Sequence, residues 1–220
     1  MTEVNLRELD REALTDHETA YLQSLGKDFW RLLWPAVGEL ATGKAVEPEH
    51  LAALANLPLD RTLAIAREAG WEWDPGGEQL VGAGLTAIKT RHRVEMGGRT
   101  MWVWCAPDAL ELPVMLGKPV RIQSSCPDTG DPIRVHATPT GVESVDPPSA
   151  VLSLADAPFG DLANVRQTAC NQQNFYRDAA AASGWLAANP HGAVLPVVDA
   201  FDVTRAAFLR IKEWIDQPTD

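Results

Sequence analysis

Residues 80–104, LVGAGLTAIKTRHRVEMGGRTMWVW, decide the fold class. Just before them Asp74-Pro75-Gly76-Gly77 is a strong turn signal, and beyond it the hydrophobic period changes to two. Residues 80–89, 91–96 and 99–104 read as successive strands, with Gly97-Gly98 as a two-residue hairpin turn. A helix is expected over 106–116. Four more strands follow at 120–124, 133–138, 141–145 and 150–154, separated by Pro, Gly and Asp. The tail alternates again, with a helix near 178–188, an apolar strand at 193–198 and an amphipathic helix over 203–215.

Upstream of the turn the pattern is helical. Residues 10–25 and 28–40 carry apolar side chains at spacings of three and four, and Pro35 is expected to kink or break the second helix near Trp34. A short helix over 51–55, opened by Pro48, and another over 59–69, closed by Gly70, flank a turn at Leu57-Pro58. Two short helices with a hairpin-like stretch behind them have the outline of a winged helix-turn-helix. The expectation is therefore an α+β protein. A winged-helix-like helical region (1–78) precedes a mostly antiparallel sheet core with flanking helices (79–220).

Composition narrows the function classes. The formal net charge of −11 over 220 residues argues against a nucleic-acid partner, which needs a basic surface. No apolar run reaches the roughly 18 residues that cross a bilayer. The start, MTEVNLRELDREAL, is charged and lacks the apolar stretch of a secretory signal. A cytoplasmic protein with no membrane or nucleic-acid partner, a monomer or weak homodimer, is the expectation. Three cysteines are an odd count for a disulfide framework, so reduced thiols fit better.

Cys105 lies where a strand ends and a helix begins, in Trp102-Val103-Trp104-Cys105-Ala106-Pro107-Asp108. A thiol at a helix N-terminus meets the positive end of the dipole, which lowers its pKa, and Asp108 falls within the first turn, close enough to share a proton. The competing reading is a small buried hydrophobe beside a helix-start aspartate. Cys170 sits in a run dense in Asn and Gln (Asn171, Gln172, Gln173, Asn174), which either lines a cleft or forms a surface loop. Cys126, in Ser124-Ser125-Cys126-Pro127-Asp128-Thr129-Gly130, precedes a turn and reads as structural. The cysteine gaps and the five scattered histidines lack the spacing of a zinc site. No local signature points to a Cys–His hydrolase. Gly82-x-Gly84 falls in a strand pattern with no helix after it, so it is not a phosphate loop.

Taken together these segments resemble the alkylmercury (organomercurial) lyases. Trp104-Cys105-Ala106-x-Asp108-x-Leu110 is similar to that family's first active-site segment, and Val165-Arg166-Gln167-Thr168-x-Cys170 to the segment around its second active-site cysteine. Val120-Arg121-Ile122-x-Ser124-x-Cys126-x-x-Thr129-Gly130 resembles the stretch that holds a third, structural cysteine, and Gly82-x-Gly84-Leu85-Thr86 also fits the layout. The likeness covers about residues 30–215. Two features depart from it: Asn171 stands where some members carry a further cysteine, and the first thirty residues are longer than usual.

The resemblance implies protonolytic cleavage of a carbon–mercury bond to a hydrocarbon and Hg(II), with Cys105 and Cys170 as mercury ligands and Asp108 as proton shuttle, and no organic cofactor. Soft metals select thiolates, so the donor set suits mercury. Small thiols or a mercuric reductase are the expected acceptors of Hg(II). The alternatives at this point are a non-catalytic thiol-based binding or sensing module, and a lyase for another organometal such as an organotin. All of these enzymatic readings require two sulfurs distant in the chain to become neighbours.

Overall fold

The computed structural model describes residues 4–217. After a short turn of 3-10 helix at Leu6–Glu8, helix α1 (Arg11–Ser24) is capped by the Asp10 carboxylate, which accepts from the Ala13 N–H at 2.9 Å. Helix α2 (Lys27–Leu40) runs through Pro35 without a break; of the two outcomes expected there, a kink or a break, the break does not occur. An interior proline costs about 3 kcal/mol. Seven side chains of α2, among them Phe29, Trp30, Leu33 and Val37, are buried, and each large one is worth about 1.5–3 kcal/mol. Packing therefore outweighs the lost backbone bond.

Helices α3 (Pro48–Ala55) and α4 (Leu59–Glu68) meet at a turn where Asn56 takes the left-handed conformation, φ 52°. Strand β1 (Glu72–Trp73) then pairs with β2 (Leu80–Ala83), and Val46 bridges Leu80, completing the winged outline. The wing does not stand apart. Strand β2 continues into an eight-stranded antiparallel sheet with β3 (Leu85–Thr86), β4 (His92–Met96), β5 (Arg99–Val103), β6 (Val120–Ser125), β7 (Pro132–Thr138) and β8 (Gly141–Asp146), in the order β1-β2-β3-β5-β4-β6-β7-β8. The single strand expected over 80–89 is broken at Gly84, whose φ of +70° makes the turn between β2 and β3.

Helix α5 (Ala106–Leu116) follows β5 directly and ends at Gly117. A second, three-stranded sheet places β9 (Val151–Leu154) between β10 (Phe175–Tyr176) and β11 (Ala193–Pro196), all antiparallel. Between β9 and β10 the chain makes two turns of 3-10 helix, Leu162–Asn164 and Cys170–Gln172, around a single α-turn, α6 (Val165–Thr168). These elements were not foreseen. Helix α7 is shorter than expected, Ser183–Ala188, because residues 178–182 form turns in which the Asp178 carboxylate accepts from the Ala181 N–H.

The last helix, α8 (Val197–Asp216), begins six residues before the expected start. Val197, Ala200, Phe201, Thr204, Ala207, Phe208 and Ile211 extend its buried stripe back to Pro196. A single apolar cluster runs from Tyr21 on α1 through Val94 on β4 and Leu110 on α5 to Ile215 on α8. The helical front and the sheet are thus packed as one body. No helix among the described residues is long and apolar enough to cross a membrane.

Candidate active site

The site is assembled at the junction of β5 and α5. Cys105 is the N-cap of α5, in extended conformation, and its sulfur accepts from the Asp108 N–H at 3.4 Å. The Asp108 carboxylate returns the contact, accepting from the Cys105 N–H at 3.1 Å. This reciprocal capping box satisfies two free donors of the helix start. It also fixes the thiol and the carboxylate against each other. Pro107 near the first helical position needs no donor there and presets φ.

Sixty-five residues later Cys170 opens a 3-10 turn that packs on the same junction. The Ala106 N–H at the start of α5 donates to the Gln173 carbonyl at 3.2 Å, and the Gln173 N–H donates to the Cys170 carbonyl at 3.3 Å. The ligand atoms of Cys105, Asp108 and Cys170 all lie within 4.8 Å of one another. All three cysteines are free thiols, and Cys126 is buried away from this cluster, holding a tight turn through its N–H to Asp131 O at 2.8 Å.

The cluster forms one wall of a cavity of about 70 Å³, room for several waters at roughly 10–15 Å³ each. Much of the rest of the lining is apolar, with Leu22, Phe29, Trp30, Leu33 and Trp71 among it. Glu18 and Tyr21 of α1, Glu111 of α5 and Gln173 also line it. Gln173 belongs to the polar run read as lining a cleft or forming a surface loop, but Glu18, Tyr21 and Glu111 were not singled out by the sequence reading. Glu111 was within reach of it, since it lies three residues after Asp108 on the same helical face; Glu18 and Tyr21 arrive by tertiary packing alone. Gln173 is buried, 7% exposed, and its side-chain oxygen has no hydrogen-bond partner.

Burial dominates the electrostatics. It pushes the Cys105 thiol well above its ordinary range, aided by its hydrogen bond with Cys170 and by the negative charge of Asp108. This reverses the expectation that the helix N-terminus lowers the pKa, because the dipole is outweighed by desolvation and by neighbouring acids. Asp108 rises to about 6, through burial first, held there by hydrogen bonds from Cys105 and by the charge of Arg166. Burial thus favours the neutral form of the Cys105 thiol, and the Asp108 carboxyl lies in hydrogen-bond contact with it. Glu18 rises to about 7 and Glu111 well above its ordinary value, both through burial.

Behind the thiols stands a polar cluster. The Trp104 indole N–H donates to Glu72 Oε1 at 3.0 Å, and Arg166 Nη1 pairs with the same oxygen at 2.9 Å. The Arg166 guanidinium also lies over the Trp104 ring, 4.3 Å from its centroid. Trp104 and Arg166 are thus both tied to Glu72.

Comparison with known proteins agrees with this picture. The family model described as alkylmercury lyase matches residues 85–209. The chain is 38% identical to an alkylmercury lyase of Streptomyces lividans over 177 residues, 79% of this chain and 80% of that one. It is 34% identical to an alkylmercury lyase of Bacillus cereus over 189 residues, 86% and 85% of the two chains. The fold is similar to that in the crystal structure of the mercury-bound form of MerB2, with a TM-score of 0.72 at 24% identity, covering 90% of this chain and 98% of that one.

Proposed function

The chain belongs to the alkylmercury lyase family and cleaves carbon–mercury bonds, and on that premise we propose that Cys105 and Cys170 bind the mercury of the substrate while Asp108 moves the proton. The observation that carries these roles is the convergence of two thiols and one carboxylate within 4.8 Å. A sequestering site needs the sulfurs but has no use for an acid locked against one of them.

The chemistry follows from the resting protonation states. An organomercury cation entering the cavity meets the Cys105 thiol, which burial holds in its neutral form. Coordination to mercury acidifies a bound thiol, and its proton passes to the Asp108 carboxylate, which is in contact with Cys105. A second Hg–S bond raises electron density at mercury and hence on the bonded carbon. Asp108 then delivers its proton to that carbon, the C–Hg bond breaks, and R–H leaves. Two thiols lose two protons: one ends on carbon, the other departs with the thiol or hydroxide that accompanied the substrate. Hg(II) stays on the two thiolates, and its acceptors are small thiols or a mercuric reductase. No organic cofactor enters these steps.

A positioned proton donor contributes about 10²–10⁴ in rate, and holding three groups around one atom adds to this through effective concentration. The test is release of benzene from phenylmercury in excess thiol. Cys105→Ser, Cys170→Ser and Asp108→Ala each abolish release in a folded protein. Tight mercury binding by the wild type without hydrocarbon would overturn the proton-transfer role of Asp108.

A further inference from the structure

We propose that Glu72 is a positioning residue that sets the spacing of the two cysteine-bearing segments. This rests on the reading that Cys105 and Cys170 act on one mercury atom. Glu72 lies on the short edge strand β1, more than thirty residues before either active-site segment, yet its side chain is only 10% exposed. One carboxylate oxygen takes the Trp104 indole N–H and the Arg166 guanidinium, at 3.0 and 2.9 Å. The other takes the Thr86 hydroxyl, whose oxygen in turn accepts from the Ile88 N–H at 3.0 Å.

The connectivity gives this carboxylate its meaning. Trp104 immediately precedes Cys105, and Arg166 is four residues before Cys170, on the turn α6 that leads into it. Glu72 is therefore a common acceptor for one donor from each thiol-bearing segment. Charge-assisted bonds of this kind are shorter and stronger than neutral ones, and here the acceptor is buried while the Arg166 side chain is 37% exposed.

The backbone is built to admit it. The β1–β2 register shifts between Glu72, which faces Gly82, and Trp73, which faces Leu80. Opposite Glu72 stands Gly82, where a Cβ would collide with the Glu72 carboxylate and approach the Thr86 hydroxyl to 2.9 Å. Gly82 has no positive φ, so its lack of a side chain serves space, not conformation. Gly82, Thr86, Trp104 and Arg166 each make sense as neighbours of one carboxylate.

The test uses the full chain and four variants: Glu72→Ala, Glu72→Gln, Gly82→Ala and the double variant Glu72→Ala/Gly82→Ala. Benzene release from phenylmercury, thermal melting, and the sulfur count around one equivalent of Hg(II) without added thiol are measured on each. A misplacement near 1 Å costs about 10²-fold, so Glu72→Ala should lower kcat by about that factor, with KM changed less than about threefold. Its Hg(II) should keep one protein sulfur in place of two. Glu72→Gln, whose single amide oxygen still accepts from Trp104 while the second acceptor for Thr86 and the charge for Arg166 are lost, falls between.

Gly82→Ala should reproduce the loss in the presence of Glu72 and add nothing in its absence, the non-additivity of a shared interaction. Undiminished turnover in Glu72→Ala overturns the proposal. So does a loss of turnover with both sulfurs still on mercury, or losses that multiply in the double variant. Absence of benzene from the wild type would instead sink the mercury chemistry on which the proposal rests.

Discussion

The two thiols sit on segments of opposite character. Cys105 is buried at the end of a central strand and the start of an eleven-residue helix, held by reciprocal bonds with Asp108. Cys170 is partly exposed, on a 3-10 turn following a single turn of α-helix, in a stretch without a regular element longer than four residues. One sulfur is fixed by the scaffold and paired with the acid. The other is carried on a strap that has to be held down by its neighbours, through Gln173 on one side and Arg166 on the other. An enzyme that must admit a large metal between two sulfurs gains from having one of them on the more yielding element.

The largest effect should come from the rigid side. Asp108→Asn keeps the size of the side chain but cannot hold the transferred proton, so hydrocarbon release should fall by about 10²–10⁴ while Hg(II) binding to the two sulfurs persists. If binding fails as well, Asp108 fixes the sulfurs and does not only move the proton. Next, the thiols should differ in access. Alkylation of the unliganded protein by a neutral reagent should modify Cys170 at least about tenfold faster than Cys105, because burial both shields the Cys105 thiol and keeps it protonated. Equal rates, read by peptide mass mapping, would erase the distinction between fixed and yielding thiol.

A pH profile sharpens the role of the acid. Asp108 has to be ionised to accept a thiol proton, so kcat/KM should fall about tenfold per pH unit as pH drops below about 6, and Asp108→Asn should lack that limb.

The smallest effects concern stability. Cys126→Ser puts a hydroxyl where a buried sulfur sits, and should lower Tm by about 2–4 °C per kcal/mol lost, with turnover intact. Glu18 has a folded pKa of about 7, above its unfolded value, so folding takes up a proton and stability declines as pH rises between about 4.5 and 7. Glu18→Gln should therefore raise Tm at pH 8 and leave it nearly unchanged at pH 4.

The same contrast explains what could be read from the chain alone. Helix α5 was legible to its last residue because its signals are local: strand, Pro107, Asp108, then Gly117. The strands from β4 to β9 were legible for the same reason. The turns around Cys170 carry no periodicity, and their polar residues compete with regular structure by bonding the nearby backbone, as Thr168 does to the Asn164 carbonyl at 3.0 Å. The unbroken α2 was hidden because tertiary burial outweighed Pro35, and the early start of α8 because its first residues read as part of the preceding strand. Of the site, Cys105, Asp108 and Cys170 could be named through the family likeness, but their meeting could not be derived from spacing. Glu72 was invisible, since nothing local marks a carboxylate whose partners lie 14, 32 and 94 residues away.

The sulfur that caps α5 has a further consequence. At 3.4 Å the Asp108 amide is a weak partner for a neutral thiol, but it already points at the atom that, in the mechanism we propose, becomes anionic once mercury arrives. No dipole has to turn as that charge develops, so the reorganisation that bulk solvent would require is largely absent. The first turn of the helix acts as a standing field, idle in the empty enzyme and strongest at the moment the metal is held.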